Sequence, residues 1–233
     1  MNKMAIFVEG YTEVVFMDRL IEEIANENAV RIEWRLISGG VTCPRTSRQI
    51  KAAQPHSGQE HFVVIFDCGG DDAVKSRMLM EYPHLTEAGY SKIICVRDVY
   101  PKFTYAEIPA LKATLPKHVK TKPIVVDFIL SIMEIEAWFL AEHSHFAKID
   151  PAITLAAIVA GHKFDPEKDD MQLRPTPADD LNKCYALGGK AYEKWNAKAT
   201  VDALDYVHVY AGLVDKFPYL KQLCAIIETF LQS

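Results

Sequence analysis

The run Ala5-Ile6-Phe7-Val8 is apolar at every position, and it stops at Glu9-Gly10. Strands that face water on one side alternate apolar and polar residues. An unbroken apolar run reads instead as a strand buried on both faces, the habit of parallel sheets covered by helices. The pattern returns at Phe62–Phe66, ending in Asp67-Cys68-Gly69-Gly70, and at Ile93–Val96, ending in Arg97-Asp98. Pro123–Leu130 reads as a fourth strand. Such repetition predicts an α/β core, and in open α/β sheets the carboxyl ends of the strands are where ligands bind. Glu9 and Asp98 stand where those ends should be.

The segments between the strands fit this layout. Val14, Met17, Ile21 and Ile24 make one helical stripe, with Asp18, Arg19, Glu22 and Glu23 opposite and Thr12 as the expected N-cap. Val30–Ile37 alternates as a half-exposed strand. Val41–Gln59, with Arg45, Arg48 and Lys51, reads as a polar loop holding at most one short helix. A helix through about Glu87 follows, with Val74, Met78 and Leu85 inward and Asp71 or Asp72 as its cap. Tyr105–Leu115 reads as a helix interrupted by Pro109. Ser131–Glu142 is a strong, largely apolar helix former carrying Glu134 and Glu136. Two positions apart on a helix, these glutamates point to opposite sides, so at most one reaches a shared site unless the chain there is not yet helical. A carboxylate on a buried helix requires a partner or a metal. Beyond about residue 150 the strand patterns cease, and helices are expected over Ala178–Leu187, Ala191–Tyr210 and Leu220–Leu231. The expected organisation is an α/β core over 1–148 and a helical subdomain over 149–233.

Composition narrows the classes of function. The chain has 233 residues and a net charge of -5, which excludes a broadly basic nucleic-acid coat. A polyanion would be met by a local patch or by bound cations. No apolar run approaches the ~20 residues of a membrane span, and no signal peptide is visible. The five cysteines form no CxxC pair and read as buried thiols of a reducing cytoplasm. Lys190, Lys194 and Lys198 fall at helical spacing among Tyr185, Tyr192 and Trp195. That arrangement suits a stacked nucleic-acid strand, although a solvated helix face explains it more simply. His143 and His145, two apart, do not share a helix face and make a weak metal pair.

Acids at successive segment ends supply the oxygen ligands that Mg²⁺ prefers, and such ions serve phosphoryl chemistry. Here a family likeness enters. Val8-Glu9-Gly10-Tyr11-Thr12-Glu13 resembles the opening VEGxTE motif of Toprim domains, the catalytic modules of topoisomerases, bacterial primases and OLD-type nucleases. The strand–helix order over roughly residues 4 to 130 is similar to theirs, a Rossmann-like, mostly parallel sheet. Met133-Glu134-Ile135-Glu136-Ala137-Trp138 resembles a segment of little-studied bacterial Toprim-like proteins linked by genome context to phage defence. The resemblance implies Mg²⁺- or Mn²⁺-dependent hydrolysis of DNA or RNA. Glu9 would be general acid/base or first metal ligand, Asp98 the principal ligand, and Glu134 or Glu136 a further one. Glu13 and Asp67 would support them, with Arg45, Arg48, Arg97, Lys102, Lys190 and Lys194 along the nucleic acid. It also implies a partner ATPase. The family's Asp-x-Asp pair is here Asp98-Val99-Tyr100, with Tyr100 in place of the second aspartate. That departure points to the alternative, a non-catalytic module binding a nucleotide or a partner.

Overall fold

The apolar runs form the middle of a six-stranded sheet, in a computed structural model that describes residues 1–26, 30–40, 43–54, 61–70 and 73–233. The first half of the chain runs β1 (Asn2–Val8), α1 (Tyr11–Ala25), β2 (Val30–Ser38), β3 (Thr46–Lys51), β4 (His61–Asp67), α2 (Ala73–Glu87) and β5 (Lys92–Asp98). After α3 (Ile108–Thr114) comes β6 (Val125–Ser131). The strand order is β3-β2-β4-β1-β5-β6. β1 lies parallel to β4 and β5, β2 is parallel to β4, and β3 alone is shown antiparallel, to β2. Hence the sheet is mixed but mostly parallel, and the chain is α/β as the apolar runs require.

The chain divides into two units. The first comprises Met1–Arg97, Pro109–Leu130 and Leu223–Ser233, and the second Asp98–Ile108 and Ser131–Gln222. In the first unit, Ala5, Phe7, Val64, Phe66, Ile93 and Cys95 share one core with Val74, Met78 and Leu85 of α2. Phe7 and Phe66 stack with ring centroids 4.6 Å apart. The last residues of the chain belong to this unit too: the Asn2 side-chain amide donates to the Ser233 carbonyl at 2.7 Å, and the His61 and Phe230 rings meet edge to face. The second unit is helical, with α4 (Glu136–Ala141), α5 (Phe146–Ile149), α6 (Leu155–His162), α7 (Pro177–Ala186) and α8 (Lys198–Ala203). α9 (Pro218–Leu231) passes from the second unit into the first at Leu223. Among the described residues, no helix is long and apolar enough to cross a membrane.

Several local expectations are corrected. The N-cap of α1 is Gly10, not Thr12, which lies buried inside the helix; the Glu13 carboxylate reaches back to accept the Gly10 N–H at 2.9 Å. Asp18, expected on the wet side, is buried because Lys51 and the Trp34 indole N–H close on it at 2.8 and 3.0 Å. Part of the expected polar loop is the strand β3, nearly all of it exposed. An edge strand wet on both faces needs no apolar alternation, so the period-two signal is absent. Asp71 and Asp72 lie outside the described residues. Four of the five cysteines are buried as expected, but Cys43 is exposed. Ala191–Tyr210 is not one helix: a short 3-10 turn at Lys194–Asn196, then α8, then a π-helical turn at His208–Leu213 replace it. Lys190, Lys194 and Lys198 therefore do not share one helical stripe.

β2 ends at a turn that admits only glycine. Gly39 has φ +79°, and a Cβ there would stand 2.2 Å from the Pro44 carbonyl oxygen. Gly39→Ala combines a left-handed backbone penalty with a backbone clash. It is expected to lower stability by more than ~1 kcal/mol, read as a lower urea midpoint with unchanged slope.

Candidate functional site

The predicted site residues fall into two sets, one in each unit. In the first unit, Glu9 is buried just beyond β1. Its carbonyl accepts the Gly70 N–H at 2.9 Å, while the Val8 carbonyl accepts the Cys68 N–H at 3.0 Å. The turn after β4 is thus stitched to the end of β1. Asp67 accepts the Gly69 N–H at 2.9 Å; burial raises its pKa, and that hydrogen bond opposes the rise. Glu13 holds the start of α1. Arg45 is engaged with Glu81 at 2.6 Å, and Arg48 lies exposed on β3. Arg97, half-buried, ends the first unit's β5 segment.

The second unit holds Asp98, Glu134 and Glu136, all buried. Their placement starts in the backbone. Expected as one helix, Ser131–Glu142 instead finishes β6 at Ser131, turns, and becomes helical only at Glu136. The turn is made by Met133, whose φ of +63° is uncommon for a residue with a side chain. Its carbonyl accepts the N–H groups of Val99 and Tyr100 at 3.1 and 2.8 Å, and the Ser131 carbonyl also accepts from Val99. These bonds tie the segment after Asp98 to the segment before Glu134. Because Glu134 precedes the helix, the rule that sends residues two apart to opposite faces does not apply.

Both glutamates consequently reach one ammonium. Lys194 Nζ lies 2.7 Å from Glu134 Oε1 and 3.7 Å from Glu136 Oε2. Glu134 Oε2 accepts the Ala178 N–H at 3.0 Å, a donor left over in the first turn of α7, where Pro177 occupies the first position. Glu136 Oε1 accepts the Tyr192 hydroxyl at 2.7 Å. Tyr192 is itself fixed, its N–H donating to the Asn182 side chain at 2.9 Å and its ring set edge-on against Tyr185. Glu136 Oε2 is buried with no hydrogen-bond partner, and the Lys194 ammonium lies 3.7 Å from it.

The charges respond as this geometry requires. Burial raises the pKa of Glu136, and Glu134 adds to the rise, while Lys194 and the Tyr192 hydroxyl pull it down. For Lys194, burial favours the neutral amine. Glu136, Glu134 and then Asp98 outweigh it and hold the ammonium charged well above the ordinary lysine range. Acids from two segments thus act on one cation, Glu134 and Glu136 at 2.7 and 3.7 Å and Asp98 through its field. None of this was legible from spacing: Lys194, Tyr192 and Ala178 stand 60, 56 and 44 positions from their partners. Beside the cluster in sequence, Trp195 is 73% exposed. Of the other expected cations of this unit, Lys102 is exposed, and Lys190 lies 3.8 Å from Asp150.

A metal's fit can be judged from these contacts. An all-oxygen, carboxylate-rich donor set suits a hard divalent ion, and Glu136 Oε2 is a buried oxygen still open to a ligand. As they stand, however, the other Glu134 and Glu136 oxygens hold protein donors. Among the described residues, no three His, Cys, Asp or Glu side chains are arranged to hold an ion. His143 and His145 lie in a 3-10 turn capped by Glu142, with His145 buried. The chain matches no family model, no curated protein and no solved structure.

Proposed function

We propose that the chain is a Toprim-like, Mg²⁺- or Mn²⁺-dependent phosphodiesterase acting on DNA or RNA. The reading is carried by one observation: Glu134 and Glu136 lie 2.7 and 3.7 Å from the Lys194 ammonium, and Asp98, a buried acid from a second stretch of the unit, adds its field to theirs. Buried acids in such number are costly unless a cation is part of their working state. When bound, a hard divalent ion supplies the charge that neutralises a phosphodiester and acidifies water. Asp98 and Glu136 are the residues to hold it. Tyr192 orients Glu136, Ala178 orients Glu134, and Lys194 meets the phosphate charge. Trp195, exposed beside that lysine, offers a face on which a base stacks.

The test is a cleavage assay on a panel of single- and double-stranded DNA and RNA. The wild type is expected to cut at least one substrate with Mg²⁺ or Mn²⁺ and not in EDTA. Asp98→Ala is expected to lose about 10²-fold or more of that rate with its circular dichroism unchanged. Equal cleavage by wild type and Asp98→Ala sinks the assignment. Glu9→Gln, assayed in parallel, asks whether the first unit's acid enters the same chemistry.

A second reading, a binding module without turnover, is favoured by the number of Glu134 and Glu136 oxygens already committed to protein donors. On that reading the chain retains a nucleic acid or nucleotide in EDTA and cleaves nothing.

A further inference from the structure

We infer that β3 is a docking edge on which an extended, acidic segment of a partner protein adds as a further strand. β3 ends the sheet, with β2 as its neighbour on one side and, among the described residues, no strand on the other. Thr46, Ser47, Arg48, Gln49 and Ile50 are all exposed, so both faces of the strand are open to solvent. Its register with β2 is unbroken from Thr46 to Gln49 and shifts only beyond that point, between the partners Trp34 and Arg35. A regular strand paired along one edge carries a row of N–H and C=O groups along the other. That row is the template an added strand needs.

Charge says what the added strand must be. Residues 43–54 hold Arg45, Arg48 and Lys51 and no acid, in a chain whose net charge is -5. Two of these cations are drawn inward, Arg45 onto Glu81 at 2.6 Å and Lys51 onto Asp18 of α1 at 2.8 Å. Arg48 is left exposed within the strand, and among the described residues no acid pairs with it. Edge strands commonly ward off neighbours with lysines reaching outward. Here the lysine is turned onto α1, and the remaining arginine attracts a carboxylate placed across from it. A second copy of β3 brings only like charge to that position, and a nucleic acid has no peptide groups to match the open edge. Ile50, 50% exposed, offers an apolar contact close to Arg48. The occupant is therefore an extended peptide with a carboxylate opposite Arg48 and an apolar residue beside Ile50.

The probe is a fluorescein-labelled peptide of alternating glutamate and valine, added to the whole chain. Binding is followed by fluorescence anisotropy at low salt and by amide hydrogen exchange. The peptide is expected to bind and to slow exchange within Thr46–Lys51, and added salt is expected to weaken it. Arg48→Glu, a change at an exposed position, is expected to keep the circular dichroism of the wild type and to weaken binding about fivefold or more. Arg48→Lys, which keeps the charge, is expected to bind within about twofold of wild type. The same peptide methylated on every backbone nitrogen keeps its carboxylates and loses its donors, and it is expected not to bind. The inference is overturned if the glutamate peptide does not bind, if the methylated peptide binds equally, or if Arg48→Glu binds as the wild type does. It is overturned also if a single-stranded dT oligonucleotide, and not the peptide, protects Thr46–Lys51, or if the free chain is a dimer with those amides already protected. None of these outcomes turns on a divalent ion or on cleavage, so the phosphodiesterase reading stands or falls separately.

Discussion

Glu142→Ala is expected to destabilise the protein by roughly 3–5 kcal/mol. Glu142 is fully buried, and its carboxylate is held by donors on both sides of it in the fold. One oxygen accepts the Ser144 N–H at 3.2 Å and the Ser144 hydroxyl at 2.6 Å; the other accepts the His145 N–H at 3.2 Å. The His208 ring, from the π-helical turn, lies 3.4 Å from the first oxygen. Alanine removes the acceptor of the buried His145 N–H and of the partly buried bonds from Ser144 and His208, and a buried donor left unpaired costs more than its bond contributes net. Burial alone would raise the carboxyl's pKa, but the hydrogen bonds from His145 and Ser144 and the histidine's charge bring it down to about 2. A folded pKa below the unfolded one, near 4.5, means the unfolded chain binds the extra proton between those values. The contribution is therefore complete above about pH 4.5 and is lost as pH falls toward 2, amounting to about 3 kcal/mol across the window. Urea unfolding of wild type and Glu142→Gln from pH 7 down to 2 checks this. The gap between them is expected to close as the pH falls; a gap independent of pH excludes the assigned role.

Trp138→Ala is expected to cost about 3–5 kcal/mol as well, by a different route. Trp138 is 1% exposed in α4, the helix that Glu136 opens, between the fully buried Ala137 and Phe139. Its carbonyl accepts the Glu142 N–H at 3.1 Å, so the residue lies between the acidic cluster and the Glu142 cap. Losing the indole removes apolar burial and leaves a cavity that close packing around α4 cannot fill. The melting temperature is expected to fall by on the order of 10 °C. A drop of less than ~2 °C would mean that the ring contributes little packing.

What was legible in the sequence follows from what each residue experiences. Ala5–Val8, Phe62–Phe66 and Ile93–Val96 announce themselves because a strand covered on both sides must be apolar at every position. β3 is silent for the opposite reason: Thr46, Ser47, Arg48 and Gln49 face solvent, and pairing with β2, not apolar burial, makes them a strand. The turn at Met133 could not be anticipated, since methionine carries no signal for a left-handed backbone and the flanking residues favour helix. That one dihedral decides whether Glu134 and Glu136 diverge or converge. The acids themselves stood out in the sequence as charges in apolar surroundings. Their cation did not, because a lysine among other lysines looks like a solvated surface until the fold places it.

The first unit is assembled from three stretches separated in sequence, with Asn2 bonded to Ser233. On the ribosome, its strands emerge long before α9, whose Leu223, Ile227 and Phe230 are buried in the finished protein. Translation of Ser131–Gln222 takes on the order of 5–20 s at ordinary rates. Throughout that interval the nascent sheet lacks its closing segment and must be shielded from neighbouring chains.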